Sequence, residues 1–471
     1  MTPAEFRGHS HVVADWIAQY LDDPAKQPVL PATRPGELRQ ALPQSPPEHA
    51  EPMDRILDDF QRLIVPATTH WNHPDFMAYF ANSSTGAGIL GETLSAALNV
   101  NAMVWRTGPA ATELEQLTLD WLRQMLGLTD AFFGTITDTG SSSTLYALAA
   151  ARELHPELKI REKGLAGRAD LPRITLYCSE EAHSSVDKAA MTLGFGLESL
   201  RKIPTDGALS MSAEALEATI AADRSAGAFP LAVVATVGTT STTAVDPVPA
   251  IADICARERL WLHIDASYAG TAGILPEMRH VLAGCDRAHS FVVNPHKWLF
   301  TPMDCSALYT TRPEMLRRAF QHVADYLAVP TGDGAVNLMD YGISLGRRFR
   351  ALKLWFVIRS FGVEGLQALV REHIRLASEL SRWIDADPHL ERMADAQFST
   401  VVFRHRPPGL AGTALDAHNA RILERVNATR EIFLSGTRVR GSYALRIAIG
   451  NIRTAEANVR RALEVVREAA G

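Results

Sequence analysis

Hydrophobic positions near the start of the chain recur at the spacing of an amphipathic helix. FRGHSHVVADWIAQYL places apolar side chains at Phe6, Val12, Val13, Ile17 and Leu21. Prolines then crowd residues 28–47, which predicts extended chain, and MDRILDDFQRLIVP predicts a second amphipathic helix that stops at Pro66. Because two such helices bury little surface alone, we expect residues 1–84 to form a helical segment that packs on the body of the protein or on a partner subunit.

Beyond about residue 110, helical stretches alternate with short apolar runs. ATELEQLTLDWLRQMLGL predicts a helix, and apolar runs follow at 174–177, 231–237, 260–264, 291–293 and 307–309. Stretches such as SSVDKAAMTLGF and PVPAIADICARERL predict helices between these runs. Continuous apolar strands that alternate with helices indicate an α/β fold, with a mostly parallel sheet covered on both faces. Active sites of such folds gather at the carboxyl ends of the strands.

The last third of the chain has a different pattern. Residues 320–345 are broken by proline and glycine and predict a long loop, a type of segment that is often functional. RRFRALKLWFVIRSFG predicts a strong helix that ends at Gly362, and a smaller α+β segment containing FSTVVFRH and YALRIAIG follows. We therefore expect a large domain over 85–350 and a small C-terminal domain over 351–471.

Composition narrows the class of protein. The chain has 471 residues, 46% of them hydrophobic and 21% charged, with a net charge of -6. This balance suits a large core and argues against a nucleic-acid partner. The four cysteines are too few for a disulfide framework, and we see neither a signal peptide nor an apolar run of ~18 residues. The expectation is a soluble, cytoplasmic protein with no membrane partner. His70 and His73 have no further ligand nearby in sequence, so we expect no metal site.

Two charged residues follow apolar strands. Lys297 in NPHKWLF has apolar and aromatic neighbours, which favour a neutral, nucleophilic amine, although its ammonium group could equally reach solvent. Asp265 in WLHIDASYAG ends another apolar run. A buried carboxylate there needs a cationic partner such as a protonated pyridine nitrogen; the alternative is a carboxylate that caps the next turn.

A third feature suits a phosphate group. ITDTGSSSTLYALAAARE runs from a loop into a helix, with small and hydroxyl-bearing residues at the turn: Thr139, Gly140, Ser141, Ser142 and Ser143. Backbone N–H groups and hydroxyls at a helix N-terminus bind a phosphate dianion, but the same residues also serve as ordinary helix caps.

These features together resemble a known family. HPDFMAYF (73–80), AHSSVDKA (182–189), HIDASYAG (263–270), NPHKW (294–298) and GRRFRALKLWFVIR (346–359) are similar to motifs of the pyridoxal 5′-phosphate (PLP) dependent group II decarboxylases, most closely the aromatic-L-amino-acid decarboxylase family. The resemblance runs almost end to end. It implies PLP as cofactor, the aspartate-aminotransferase fold (fold type I), and a homodimer with active sites at the subunit interface. The segment 1–84 would then pack on the partner subunit.

The resemblance also implies roles for particular residues. Lys297 matches the lysine that holds PLP as a Schiff base, Asp265 the partner of the pyridine nitrogen, and His183 the imidazole stacked on the cofactor ring. Further cofactor contacts are implied at Thr139, Gly140, Ser141, Thr240, Ser267, Asn294 and His296. The family commonly has alanine where this chain has Ser267.

Tyr326 matches the family's mobile catalytic tyrosine, which returns a proton to Cα. Relatives that make aldehydes commonly carry phenylalanine there, so Tyr326 favours decarboxylation to an amine. Resemblance also implies substrate contacts at Trp71, His73, Phe76, Tyr79, Phe80, Asn82, Met103 and Gly346. An aromatic wall suits tryptophan, tyrosine, DOPA or phenylalanine, although an aromatic stripe is more often ordinary core.

Three alternatives stay open. A PLP-dependent aromatic aldehyde synthase shares everything except the proton donor. A group II decarboxylase of glutamate or diaminobutyrate shares the lysine, aspartate and histidine but needs a polar grip on the distal group of its substrate. A binding or scaffold protein that keeps the fold is expected to have lost one of Lys297, Asp265 and His183, and all three are present.

Overall fold

The computed structural model describes residues 1–322 and 334–471, which divide into two units. Unit 1 comprises 1–81, 379–393 and 401–471, and unit 2 comprises 82–378 and 394–400. Within the described residues, no helix is both long enough and apolar enough to cross a membrane.

A twisted sheet forms the centre of unit 2. Its strands are β1 (Phe133–Thr137), β2 (Ile174–Ser179), β3 (Leu200–Ile203), β4 (Phe229–Thr236), β5 (Trp261–Asp265), β6 (Ser290–Val293) and β7 (Ser306–Thr310), in the spatial order β1-β7-β6-β5-β4-β2-β3. The pairs from β6 through β5, β4 and β2 to β3 are parallel, whereas β7 runs antiparallel to both β6 and β1. The predicted mostly parallel α/β sheet is confirmed.

Helices cover this sheet because their apolar faces need burial. In unit 2 and the stretch that leaves it they are α4 (Gly86–Leu98), α5 (Pro109–Leu126), α6 (Gly140–Glu153), α7 (Ile160–Lys163), α8 (Ser185–Thr192), α9 (Ala213–Ser225), α10 (Val248–Glu258), α11 (Pro295–Trp298), α12 (Pro313–Phe320) and α13 (Ala351–Asp385). Buried alanines such as Ala147, Ala150 and Ala151 let α6 pack in the core against the strand residues Leu176 and Val234. This central helix carries the predicted phosphate turn at its N-terminus.

The predicted helix end at Gly362 is a break within α13. Gly362 has φ 63°, which is left-handed and leaves the helical region, and a second helical stretch continues to Asp385. The helix also begins at Ala351, several residues after the start that the pattern predicts.

Unit 1 has its own small sheet. Its strands are β8 (Leu390–Arg392), β9 (Thr400–His405), β10 (Ser435–Val439) and β11 (Ser442–Ala448), in the order β10-β11-β9-β8. Its helices are α1 (Pro3–Asp22), α2 (Glu37–Ala41), α3 (Met53–Asp59), α14 (Gly412–Ala428) and α15 (Glu456–Ala470). The Thr2 hydroxyl and the Glu5 carboxylate form a capping box that starts α1. Helices α1 and α3 confirm the two predicted N-terminal helices. The second continues past Asp59 as a short π-helix over Phe60–Ile64.

Candidate functional site

The N-terminus of α6 forms a narrow cradle. Thr139 caps the helix, its hydroxyl accepting a hydrogen bond from the Ser142 N–H at 3.4 Å. A Cβ added to Gly140 would lie 2.7 Å from Ser267 Oγ and 2.9 Å from Asn294 Nδ2. Glycine is therefore the residue that lets two polar side chains from other segments approach the first turn of the helix, whose N–H groups lack intrahelical acceptors.

A chain of hydroxyls fixes the orientation of the Asn294 amide. Thr137 Oγ1 lies 2.7 Å from Ser143 Oγ, which lies 3.0 Å from Ser306 Oγ, and Ser306 donates to Asn294 Oδ1 at 2.7 Å. Because Oδ1 accepts this bond, the Nδ2 group of the buried Asn294 is the one that faces Gly140. The cradle thus offers N–H and O–H donors, the complement of a phosphate dianion.

Asp265 provides a negative charge at the carboxyl end of β5. The residue is 6% exposed, and its Oδ1 accepts a hydrogen bond from the Ser267 N–H at 3.1 Å. Burial alone would raise the pKa of Asp265, but hydrogen bonds from the Ser267 side chain and backbone and the charge of Lys297 lower that pKa below its usual value. The carboxylate is therefore ionised at neutral pH.

His183 precedes α8 and interacts electrostatically with both Asp265 and Lys297. Its Nδ1 accepts the Ser185 N–H at 3.1 Å. Desolvation lowers the pKa of His183, and Lys297 lowers it further while Asp265 opposes this. The imidazole is thus neutral at pH 7, with its proton on Nε2.

Lys297 lies in the short helix α11, directly after β6, and is half-buried. Its neighbour His296 is buried, and His296 Nδ1 accepts the Cys305 N–H at 2.9 Å. Burial and the adjacent Lys297 charge lower the pKa of His296 to about 3, so this ring is neutral. Thr240 and Ser141, the remaining predicted cofactor contacts, are exposed in unit 2.

The donor set fits PLP at each of its functional groups. An amine at Lys297 matches the aldehyde, an ionised carboxylate at Asp265 matches a protonated pyridine nitrogen, and the cradle at Gly140 matches the phosphate. The structure thus brings together Gly140, Ser267 and Asn294 in one cluster and Lys297, Asp265 and His183 in another. Their roles toward the cofactor stay predictions.

Three of the predicted substrate contacts lie in unit 2. Asn82 donates to Met303 Sδ at 3.4 Å. The other two, Met103 and Gly346, both lie near Asn101. Asn101 Nδ2 is 3.5 Å from Met103 Sδ, and a Cβ added to Gly346 would lie 3.8 Å from the same Nδ2. Asn101 Oδ1 accepts a hydrogen bond from the Arg347 N–H at 3.0 Å.

The other predicted substrate contacts lie in unit 1. Trp71 stacks on Phe76 with ring centroids 4.2 Å apart. Trp71 also stacks on Tyr79, and Phe76 contacts Phe433 edge-on. Phe76 and His73 are buried, Tyr79 is exposed, and Phe80 lies under the Arg446 guanidinium at 4.5 Å. The buried position of Phe76 matches the alternative of ordinary core, and substrate contact by these residues stays a prediction.

Tyr326 falls in 323–333, outside the described residues. Thr137 and Ser306 could not be singled out from the sequence, because hydroxyl residues are too common to stand out. Their shared position at strand ends on one edge of the sheet is the signal that could have found them.

Comparison with known proteins agrees with this chemistry. The family model described as "Pyridoxal-dependent decarboxylase conserved domain" matches residues 35–406. The chain is 39% identical to an aromatic-L-amino-acid decarboxylase of Sus scrofa, over 99% of this chain and 96% of the relative. It is 38% identical to a phenylacetaldehyde synthase of a Rosa hybrid cultivar, over 99% and 94%.

A crystal structure of Oryza sativa TDC with PLP and tryptamine superimposes with a TM-score of 0.95 at 36% identity, covering 100% of this chain and 98% of the other. The resemblance and fold type inferred from the sequence are confirmed. The chain belongs to the pyridoxal-dependent decarboxylase family and is a PLP-dependent carboxy-lyase.

Proposed function

We propose that this protein decarboxylates an aromatic L-amino acid to the corresponding amine and CO2. One observation carries the proposal: Lys297, Asp265 and His183 interact electrostatically in the same unit as a cradle of oriented N–H and O–H donors at Gly140. An ionised, buried carboxylate whose charge Lys297 stabilises is the partner that a protonated pyridine nitrogen needs.

When bound, PLP supplies an aldehyde that captures the substrate amine and a ring that takes up the electron pair left as CO2 departs. Lys297 would hold the cofactor through its side-chain amine. Asp265 keeps its negative charge against the pyridine nitrogen, supported by the two hydrogen bonds from Ser267. Asn294, the Thr139 cap and the first turn of α6 hold the phosphate, with His296 and Ser141 on the same side and Thr240 toward the ring.

Two residues complete the chemistry. His183 would lie against the cofactor ring as a neutral imidazole, which adds no positive charge near Asp265. Tyr326 would donate its phenolic proton to Cα once CO2 has left. Without this donor, the carbon could react with oxygen instead.

The substrate side chain is aromatic in this proposal. The proposed substrate contacts are Trp71, His73, Phe76, Tyr79 and Phe80 in unit 1 and Asn82, Met103 and Gly346 in unit 2. The aromatic members of this set suit an aromatic side chain. The relatives support the assignment, since one is named an aromatic-L-amino-acid decarboxylase and a structural neighbour contains tryptamine. The proposed class is tryptophan, tyrosine, DOPA and phenylalanine.

The second candidate is an aromatic aldehyde synthase. The 38% identity to a phenylacetaldehyde synthase over nearly the whole chain favours it. Tyrosine at position 326 favours the amine-forming reaction instead, and the products distinguish the two.

We also propose that the protein is a cytoplasmic homodimer with its active sites at the subunit interface. Each chain would divide into an N-terminal segment (1–84), a large domain (85–350) and a small C-terminal domain (351–471). Helix α4 exposes Leu90, Leu94 and Leu98 at four-residue intervals, and α1 exposes Phe6 and Val12. Apolar stripes of this kind are typical of interaction surfaces. The four cysteines are free and buried, as suits a reducing compartment.

The deciding experiment is a product screen of the purified protein with PLP. Tryptophan, tyrosine, DOPA and phenylalanine are compared with glutamate and diaminobutyrate, and amine, aldehyde, ammonia and CO2 are quantified. Equal amounts of aromatic amine and CO2 are expected. Aldehyde with ammonia would identify the synthase, and activity confined to glutamate or diaminobutyrate would refute the aromatic pocket.

The dimer is tested separately by sedimentation. Leu94→Glu on the exposed face of α4 is expected to weaken dimerisation at least about tenfold, because it buries a charge in an apolar contact. Leu197→Glu, at another exposed leucine, is the matched control. If the Leu94→Glu protein sedimented like the control, α4 would not be part of the dimer interface.

A further inference from the structure

His263 is a buried histidine to which the proposed mechanism gives no role. It lies on β5 two residues before Asp265, so both side chains project from the same face of the sheet, with Cβ atoms roughly 6–7 Å apart. His263 is 0% exposed. Burial lowers its pKa, outweighing the opposite effects of Asp265 and of the Ser290 backbone, so its ring is neutral.

The hydrogen bonds around Ser290 determine which nitrogen carries the proton. Trp261 Nε1–H, which can only donate, bonds to Ser290 Oγ at 2.9 Å. The same Oγ lies 2.9 Å from His263 Nδ1. If the imidazole proton is on Nε2, the Ser290 hydroxyl donates to Nδ1 while its oxygen accepts from Trp261, and both polar groups are satisfied. We therefore assign the imidazole proton to Nε2.

That Nε2–H is buried and, within the described part of the chain, has no hydrogen-bond partner. A buried donor without an acceptor is costly and calls for a compensating interaction. The charge that acts on this ring is the Asp265 carboxylate, two residues along the same face of β5, and it raises the pKa of His263 against the effect of burial. Both groups are buried on the same face of one strand, so little solvent screens the interaction between the N–H dipole and the carboxylate.

We infer that His263 is a positioning residue whose Nε2–H, fixed by Ser290, stabilises the Asp265 carboxylate and through it the protonated pyridine nitrogen of PLP. The inference rests on the role proposed for Asp265. The other groups that face this carboxylate are the Ser267 hydroxyl and N–H, the Lys297 ammonium and the His183 ring. Without His263, the carboxylate loses one of these supports and the pyridine nitrogen releases its proton more readily.

The test compares two substitutions of similar size in the holoenzyme. His263→Met removes the donor, whereas His263→Gln restores an N–H at about the reach of Nε2. We expect His263→Met to lower the midpoint of the pyridine-nitrogen titration, followed by nitrogen NMR of the holoenzyme with isotope-labelled PLP, by about one pH unit and to weaken PLP binding about tenfold, since one pKa unit is a factor of ten. kcat should fall while KM changes less than about twofold, and His263→Gln should recover most of the shift. A His263→Met protein with the wild-type midpoint and PLP affinity would overturn the inference.

A double-mutant cycle separates an electrostatic role from a packing role. In an Asp265→Asn background, His263→Met should not weaken PLP binding further, because the group it supports is gone. Additive losses would show that His263 acts through packing and would overturn the inference. If Asp265→Asn alone leaves the spectrum and PLP affinity unchanged, the role of Asp265 itself fails, which is a distinct result and removes the inference with it.

If His263→Met does not fold, Ser290→Ala tests the inference instead. It keeps the imidazole of His263 and tests whether the Ser290 hydroxyl holds the imidazole proton on Nε2. Loss of the hydroxyl frees Nδ1 to carry the proton. The midpoint of the pyridine-nitrogen titration should then move in the same direction as in His263→Met, by a smaller amount. An unchanged midpoint would refute the assignment of the proton to Nε2.

Discussion

Gly140→Ala is the sharpest test of the phosphate cradle. The new Cβ would lie 2.7 Å from Ser267 Oγ and 2.9 Å from Asn294 Nδ2, whereas ordinary contacts begin near 3.4 Å. The backbone of Gly140 is helical, so alanine is not excluded by its φ angle. What must change is the position of the two polar side chains.

The cost follows from the bonds those side chains make. If the Ser267 side chain turns away, its hydroxyl no longer helps to keep the Asp265 carboxylate ionised, and polar interactions with charged groups contribute about 1.5–3 kcal/mol. If Asn294 moves instead, it loses the bond from Ser306 and its place facing the cradle. At about 1.4 kcal/mol per factor of ten, PLP should bind about 10- to 150-fold more weakly.

Gly86→Ala is a matched control. Gly86 also occupies the first position of a helix capped by a threonine, Thr85, whose hydroxyl accepts the Gly88 N–H at 3.2 Å. A Cβ added there meets nothing within 4 Å. Both substitutions gain the same helix propensity, about 1 kcal/mol, so the difference between them isolates the cradle.

The assay is titration of each apoprotein with PLP, followed by absorbance, with the unfolding temperature recorded alongside. Gly86→Ala should bind PLP like the wild type. If Gly140→Ala bound PLP within twofold of Gly86→Ala, the first turn of α6 would not be the phosphate site.

Three further outcomes are expected. Lys297→Ala should lose the visible absorbance of the lysine-bound cofactor and nearly all turnover. Lys163→Ala, at an exposed lysine, should lose neither. A near wild-type rate in Lys297→Ala would contradict the assignment of Lys297 as the lysine that holds PLP. Tyr326→Phe should slow amine formation and release aldehyde, ammonia and peroxide, so unchanged amine output would exclude Tyr326 as proton donor. Asp223→Asn should reduce the free energy of unfolding in urea at pH 7 by about 1.5–3 kcal/mol, because Asp223 accepts hydrogen bonds from Tyr177 and Arg201. Burial raises the pKa of Asp223, but these partners lower it below its usual value. This contribution is therefore present above about pH 3.9 and lost as pH falls below it; a difference independent of pH down to 3 would refute the electrostatic explanation.

Much of the sheet could be predicted from sequence because buried parallel strands are continuous apolar runs. The predicted runs became β2, β4, β5, β6 and β7. β3 was missed because it is short and carries Arg201 and Lys202, and β1, FGTIT, because glycine and threonine dilute its apolar signal. Gly362 was identified as a break, but the residues after it have enough helix formers for a second helical stretch.

The candidate site could also be predicted only in part. Lys297, Asp265 and His183 could be named from sequence because each stands in an unusual motif. The orientation of the Asn294 amide could not, since it depends on Ser306 and Ser143, which reach it only through strand order. The role inferred for His263 depends on a proton position, which no spacing of residues reveals.

The reversed strand β7 has a consequence for the order of assembly during synthesis. β1 is at the edge of the sheet and pairs only with β7 among the described strands, Phe133 opposite Thr310 and Thr137 opposite Ser306. β1 leaves the ribosome early but has no neighbour until β7 follows, and such distant pairings form slowly. The Ser306 hydroxyl that orients Asn294 arrives with the same strand. A nascent chain that ends before Ser306 therefore cannot complete the phosphate cradle, and cofactor capture must wait until the whole sheet of unit 2 has been translated.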